Sequence, residues 1–112
     1  MSVPDIVKWY DALFINKTIL PNNALIKMLT GVPTHDGYKY GLGITKRYIN
    51  KYNVEVYSHT GSNFGFNTNV VYIKDHGIVI VAAINAQKDL LGFNKGLIPG
   101  VLKILKTYGY LT

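Results

Sequence analysis

Residues 57–85, which read YSHTGSNFGFNTNVVYIKDHGIVIVAAIN, contain the clearest strand pattern of this sequence. Ile78–Ile84 is an unbroken apolar run rich in β-branched side chains, which is typical of a strand buried on both faces. Phe66–Ile73 alternates in part between polar and apolar residues, which indicates a strand with one wetter face. The polar loop between them ends at Gly77, and glycine can adopt a positive φ, so an antiparallel hairpin is predicted.

Two further strands are predicted upstream of this hairpin. Residues 54–59 form the third strand, and a turn at residues 61–65 leads from it into the hairpin. Residues 38–48 form the fourth strand, whose two glycines suggest a bulge or a close approach of the backbone. Residues 49–53 form the turn between the fourth strand and the third. The sheet is therefore expected to be a four-stranded antiparallel meander.

Apolar residues at helical spacing predict three helices. Pro4 suits the first turn of the first helix, and the carboxylate of Asp5 complements the positive end of its dipole. The order of helix, helix, four strands and helix predicts an α+β fold. The helices are predicted at residues 6–14, at residues 24–30 with a cap at residues 21–23, and from about Ile98 to the end of the sequence.

Length and composition limit what this fold can do. The sequence has 112 residues, which predicts a single domain. It contains no cysteine, which excludes disulfides and thiolate metal sites. It has no run of about 18 apolar residues and no signal-peptide pattern at its amino terminus, so we expect the chain as given to be soluble and not exported. No cofactor is predicted.

The formal net charge is +6, and aromatic and basic residues are interleaved in three segments, residues 38–40 (YKY), 46–48 (KRY) and 51–52 (KY). Such segments occur in proteins that bind single-stranded nucleic acids. The basic residues are nevertheless spread along the whole sequence, which favours solvated surface charges and no nucleic-acid partner. His35 and Asp36 lie in a loop-like segment, GVPTHDG, and one histidine beside one aspartate predicts a surface loop and no metal site.

Three segments carry a resemblance to a known family. Residues 59–66 read HTGSNFGF and are followed by a partly polar strand, a turn and an apolar strand that ends in Asn85. Residues 40–44 read YGLGI, and Asp5 and Trp9 fit the pattern D-x-x-x-W. The sequence resembles the carboxy-terminal part of the serine β-lactamase and penicillin-binding-protein superfamily, and most of all the branch of class C β-lactamases, DD-peptidases and esterases. The resemblance covers nearly all of this sequence but only about the last third of that family's catalytic domain.

This resemblance implies a role for four consecutive residues. In the family, the third motif, K-T-G or H-T-G, lines the active site on an edge strand. His59 and Thr60 would accordingly contact the substrate or the proton-transfer network, and Gly61 would allow a close approach of the backbone. The N–H group of Ser62 would hold the developing oxyanion. Members of this family are often periplasmic or attached to the cell envelope.

The sequence departs from the family at the nucleophile. The motif S-x-x-K is absent, because none of Ser2, Ser58 and Ser62 has a lysine three residues further on. The letters of the second motif, Y-x-N, occur at residues 48–50, but they follow the YGLG segment, whereas the family places this motif well before it. We interpret this match as chance. No catalytic nucleophile or base is therefore assigned, and the chain alone is not expected to hydrolyse β-lactams or peptides.

Two functions are compatible with these observations. The first is the carboxy-terminal portion of a serine hydrolase that acts on a β-lactam, a peptidoglycan peptide or an ester and is completed by an upstream segment. The second is a non-catalytic α+β interaction module that binds a protein or an anionic partner through its basic, tyrosine-rich strands. An upstream coding sequence containing S-x-x-K and Y-x-N would support the first function, and an unrelated one would support the second.

The apolar strand also leads to a prediction about association. In the family, the strand matched by Ile78–Ile84 has a neighbour from the amino-terminal part of the domain. Without that neighbour, its edge is an uncharged template for pairing with another chain. We therefore predict a homodimer in which the two Ile78–Ile84 edges are paired or are covered by an exchanged helix.

Overall fold

A computed structural model describes residues 1–86 and 96–112 of the chain. Within these residues the chain forms three α-helices and six β-strands. The arrangement is α+β, as predicted. The helices are α1 (Val3–Tyr10), continued by a π-helical turn (Asp11–Ile15), α2 (Asn22–Leu29) and α3 (Ile98–Thr107). The strands are β1 (Val32–Pro33), β2 (Lys39–Tyr40), β3 (Thr45–Ile49), β4 (Val54–Asn63), β5 (Phe66–Ile73) and β6 (Ile78–Ile84).

The strands form one antiparallel sheet in the order of the sequence, β1 to β6. The predicted meander is confirmed, but the prediction of four strands is wrong. The segment 38–48 is two strands, because the chain reverses at Leu42 and Gly43. The Gly41 N–H group donates to the Ile44 carbonyl at 2.8 Å, and Gly43 has a φ of +77°, a value that favours glycine.

Strand β1, the other strand that was not predicted, lies in a segment predicted to be a loop. Val32 and Pro33 pair with Tyr40 and Lys39 at the edge of the sheet. The turn that follows them is closed by the Thr34 N–H group, which donates to the Tyr38 carbonyl at 2.8 Å. Proline is tolerated here because an edge strand can lack one ladder donor.

Strand β4 is longer than predicted. The predicted turn at residues 61–65 is confined to Phe64 and Gly65, whose φ values are +38° and +93°. Two consecutive positive φ values are the mark of the tightest hairpin connection, which needs only two residues. The strand therefore continues through the H-T-G segment to Asn63.

The helices agree closely with the sequence predictions. In α1, Ser2 Oγ accepts from the Asp5 N–H group at 3.2 Å, and the Asp5 carboxylate accepts from the Ser2 N–H group at 3.3 Å. Helix α2 begins at Asn22, so the predicted cap residues partly lie inside it. Helix α3 begins at Ile98, as predicted. Of the polar segment 86–89 that precedes it in the sequence, residues 87–89 lie outside the described residues.

The sheet has a hydrophobic core on each face. Consecutive residues of a strand point to opposite faces, so Val56 contributes to one core and Tyr57 to the other. The first core includes α3, and the second includes α1 and α2. The first contains Tyr52, Val54, Val56, Val71, Ile73, Ile98, Leu102 and Leu111, and the second contains Tyr10, Leu13, Phe14, Leu25, Ile44, Tyr57 and Tyr72.

Strand β6 lies at the edge of the sheet and pairs only with β5 among the described residues. The prediction that Ile78–Ile84 is buried on both faces is wrong, because its residues are half-buried and Ala83 is exposed. An apolar run has the same sequence pattern in a central strand and in an edge strand that packs against a helix. Here α1 lies against β6.

Candidate functional site

The H-T-G segment lies where β4 extends past its neighbour β3. The last register pair between these strands is Thr45 with Ser58, whereas pairing between β4 and β5 continues to Asn63 with Phe66. Residues 59–63 of β4 therefore have a paired strand on the β5 side, and β3 does not extend alongside them. The segment lies on an open length of strand edge.

The directions of the backbone groups along β4 follow from one hydrogen bond. The Glu55 carbonyl accepts from the Lys74 N–H group at 3.1 Å and therefore faces β5. Backbone groups alternate between the two sides of an antiparallel strand, and the register with β5 continues without a bulge to Asn63. The N–H groups of Thr60 and Ser62 consequently face away from β5. The Ser62 N–H group thus points outward from the open edge.

Gly61 lies close to a side chain of the neighbouring strand. It pairs with Thr68 on β5, and a Cβ atom added at Gly61 would lie 2.6 Å from Thr68 Oγ1. A side chain at this position would therefore displace Thr68. The close backbone approach that the resemblance implies for the same glycine stays a prediction.

The His59 ring has a polar contact at each nitrogen. Nδ1 lies 2.7 Å from the Thr60 carbonyl oxygen, and Nε2 lies 3.3 Å from the Tyr40 hydroxyl oxygen. Both His59 and Tyr40 are exposed to solvent. Sequence reasoning singled out His59 but did not connect it with Tyr40, which belongs to the YGLG segment.

A cleft of about 340 Å³ lies beside this open edge. His59 and Thr60 line it, whereas Gly61 and Ser62 follow along β4 and are exposed. Its volume is within the range of small-molecule sites, about 300–1,000 Å³. The lining residues are Thr34, Asp36, Tyr38, Tyr40, Thr45, Arg47, Ser58, His59, Thr60 and Asn69.

Two opposite charges face this cleft. The guanidinium carbon of Arg47 lies 5.9 Å from the centre of the Tyr38 ring. Asp36 accepts a hydrogen bond from the Thr34 hydroxyl, which lowers the pKa of the Asp36 carboxyl. Tyr38 and Arg47 belong to the basic, aromatic segments that the sequence reveals. The sequence does not reveal that these two residues lie beside the H-T-G segment.

A cluster around Glu55 accounts for part of the basic surface. The Glu55 carboxylate accepts from the Tyr57 hydroxyl at 2.7 Å and lies 3.4 Å from Lys46 Nζ and 3.5 Å from Lys74 Nζ. Partial burial alone would raise the pKa of Glu55, but the Tyr57 hydrogen bond and the two lysines lower it overall. Burial and the neighbouring Glu55 raise the pKa of Tyr57.

The remaining sequence candidates lie elsewhere. Tyr48 pairs with Glu55, and its hydroxyl donates to Asn53 Oδ1, so the Y-x-N letters lie at the end of β3 that is remote from His59. His35 is exposed in the turn after β1. In the described part of the chain there is no group of three or more His, Cys, Asp or Glu residues that could hold a metal ion. Nor does any helix there have the length and apolar character needed to cross a membrane.

Comparison with known proteins identifies a similar solved structure. The crystal structure of a D-stereospecific amidohydrolase from Streptomyces sp. matches 83% of this chain with a TM-score of 0.66 and 26% sequence identity. This chain covers 29% of the length of that one. No family model and no curated protein matches the sequence. In its fold, the chain therefore resembles the serine β-lactamase and penicillin-binding-protein superfamily, to which that amidohydrolase belongs.

Proposed function

We propose that the chain supplies the substrate-binding edge of a β-lactamase-like serine hydrolase. The observation that carries this proposal is the position of His59, Thr60, Gly61 and Ser62 on the open edge of β4, with the Ser62 N–H group directed outward. A donor fixed in a sheet needs no reorganisation when charge develops on a substrate oxygen. The substrate would be a β-lactam, a peptidoglycan peptide or an ester.

Three residues of the segment contact the substrate in this proposal. The Ser62 N–H group donates to the oxygen of the tetrahedral intermediate. A single such donor lowers the activation free energy by about 2.7–4 kcal/mol. The Thr60 hydroxyl and the His59 ring contact the substrate from the adjoining cleft. The similarity of this chain to a D-stereospecific amidohydrolase supports a substrate with an amide bond, which a β-lactam and a peptidoglycan peptide have and an ester lacks.

The nucleophile of this reaction would come from another segment. Ser58 and Ser62 are followed three residues later by Gly61 and Gly65, so neither forms the S-x-x-K motif. An unactivated serine hydroxyl is a weak nucleophile. We refer to a polypeptide that carries S-x-x-K and Y-x-N as the completing segment, and we assign the nucleophile and its base to it.

The isolated chain should not be acylated by a labelled penicillin. Its serines have no partner lysine, so no activated nucleophile is available. Intact mass after incubation should equal the mass of the untreated chain, and a penicillin-binding protein treated in parallel serves as the positive control. A stoichiometric adduct on Ser58 or Ser62 would overturn the assignment of the nucleophile to another segment.

A non-catalytic interaction module is the second candidate function. Its support is the contact between cations and aromatic rings around β3, where Arg47 lies over Tyr38 and Lys51 Nζ lies 5.6 Å from the centre of the Tyr52 ring. With a net charge of +6, such a surface suits a protein or another partner that is anionic. Failure of every completing segment to give acyl chemistry would favour this function.

We also propose that the chain, in the absence of the completing segment, forms a homodimer through β6. Pairing two edges would bury valine and isoleucine side chains at about 1.5–3 kcal/mol each. Val81→Lys should convert a dimer into a monomer in sedimentation at micromolar concentration, whereas Ile104→Lys, on the exposed face of α3, should leave the dimer intact. A native chain that sediments as a stable monomer would contradict this prediction.

A further inference from the structure

The contacts of the His59 ring determine where its proton lies. A peptide carbonyl has no hydrogen to donate, so the 2.7 Å contact between Nδ1 and the Thr60 oxygen requires a proton on Nδ1. In the neutral ring, Nε2 then has a lone pair and can only accept. The Tyr40 hydroxyl, 3.3 Å away, is therefore the donor to Nε2.

We propose that Tyr40 is a positioning residue that holds His59 in the tautomer protonated at Nδ1, with the Nε2 lone pair accepting from the Tyr40 hydroxyl. The hydrogen bond made at one ring nitrogen decides which nitrogen is protonated, and here both nitrogens favour the same tautomer. This inference rests on the proposed function, because it assigns the tautomer a role in acyl transfer.

The fold explains how a residue so far along the sequence reaches His59. Tyr40 pairs with Thr45, and Thr45 pairs with Ser58, so Tyr40 lies two strands away from the residue that precedes His59. Strands are spaced about 4.8 Å apart, and two long side chains can span roughly 10 Å. Both residues line the same cleft.

The turn after Tyr40 is attached to helix α2, which fixes the position of the phenol. The Leu42 N–H group donates to the Met28 carbonyl at 2.9 Å. A Cβ atom at Gly41 would lie 2.3 Å from that same carbonyl oxygen, so only glycine allows this approach. The YGLG sequence thereby places its tyrosine beside His59.

This arrangement suits a ring that stays neutral while the completing segment carries out the proton transfers. As a serine hydroxyl of the completing segment forms a bond to the acyl carbon, its proton moves to the base of that segment. The π electrons of the carbonyl move to the oxygen held by the Ser62 N–H group. When the bond to the leaving group breaks, the same base returns the proton to the leaving group. His59 keeps its proton on Nδ1 throughout, so its Nε2 atom has no hydrogen that could compete with the Ser62 N–H group for the oxyanion.

The test is the tautomer of His59 in the isolated, ¹⁵N-labelled chain. Long-range ¹H–¹⁵N spectra at pH about 8, above the ordinary imidazole pKa of about 6.5, distinguish a protonated from an unprotonated ring nitrogen. A His59→Gln variant identifies the signals of His59 among those of His35 and His76. The native chain should show a proton on Nδ1 and none on Nε2.

Loss of the Tyr40 hydroxyl should shift this equilibrium. In Tyr40→Phe, the ratio of the Nδ1-protonated to the Nε2-protonated form should fall by roughly two- to tenfold, which corresponds to one net hydrogen bond. Tyr38→Phe is the matched control, since the Tyr38 ring contacts Arg47 in the same cleft, and it should leave the ratio unchanged.

Three results would overturn the inference. They are a proton on Nε2 in the native chain, an unchanged ratio in Tyr40→Phe, and an equal change in Tyr38→Phe. The native spectrum decides the first even if Tyr40→Phe does not fold. None of these measurements requires acyl chemistry, so a failure of the proposed function and a failure of this inference are separate observations.

Discussion

Ser62→Pro should slow acylation by about 10²–10³-fold in a protein composed of this chain and the completing segment, because proline has no N–H group to donate to the oxyanion. The substitution removes no hydrogen bond to β5, since the Ser62 amide faces the open side of β4. Proline is compatible with an edge strand at such an outward position. The rate of adduct formation, followed by mass, measures the effect.

Ser62→Ala is the matched control for this substitution. It keeps the backbone donor and removes only an exposed hydroxyl, so acylation should proceed close to the native rate. His59→Ala and Thr60→Ala should also weaken acylation, since both side chains line the cleft. A folded Ser62→Pro variant with the full native rate would remove this amide from the site.

Ile73→Ala should lower the free energy of unfolding by about 2–5 kcal/mol, a large share of the total stability of a small domain. Ile73 has 0% of its surface exposed and belongs to the core that joins β4 and β5 to α3. The loss combines a transfer term with the cavity left behind. Urea unfolding followed by circular dichroism measures it.

Two substitutions calibrate the effect of Ile73→Ala. Ile73→Val removes a single methylene and should cost only about 0.5–1.5 kcal/mol. Ile26→Ala, at a position on α2 that is 65% exposed, should change stability by no more than about 0.5 kcal/mol. Equal losses for Ile73→Ala and Ile26→Ala would contradict the assignment of Ile73 to a packed core.

The sequence predicts those helices and strands in which a pattern of apolar residues extends over several positions. The β5–β6 hairpin and the start of α3 are recognisable because β-branched runs, a turn glycine and helical spacing agree with one another. The two-residue strands β1 and β2 have no period of their own. Strand β2 depends on a turn at Gly43 and on pairing with β3, so reading residues 38–48 as one strand missed it. Strand β1 depends on pairing with β2, and it was missed because its segment was read as a loop.

The site was only partly predictable for related reasons. His59, Thr60, Gly61 and Ser62 stand together in the sequence, so a short motif reveals them. The contact between Tyr40 and His59 joins residues 19 positions apart, and it depends on the register of three strands. The length of β4 depends on Phe64 in a positive-φ conformation, which a bulky side chain rarely adopts.

The most direct test of the account is the intact mass of both polypeptides after a completing segment and this chain are incubated with a labelled penicillin, together and separately. The account predicts a stoichiometric adduct on the S-x-x-K serine of the completing segment only in the mixture, with this chain unmodified throughout. An adduct on this chain alone, or equal labelling of the completing segment with and without this chain, would contradict it.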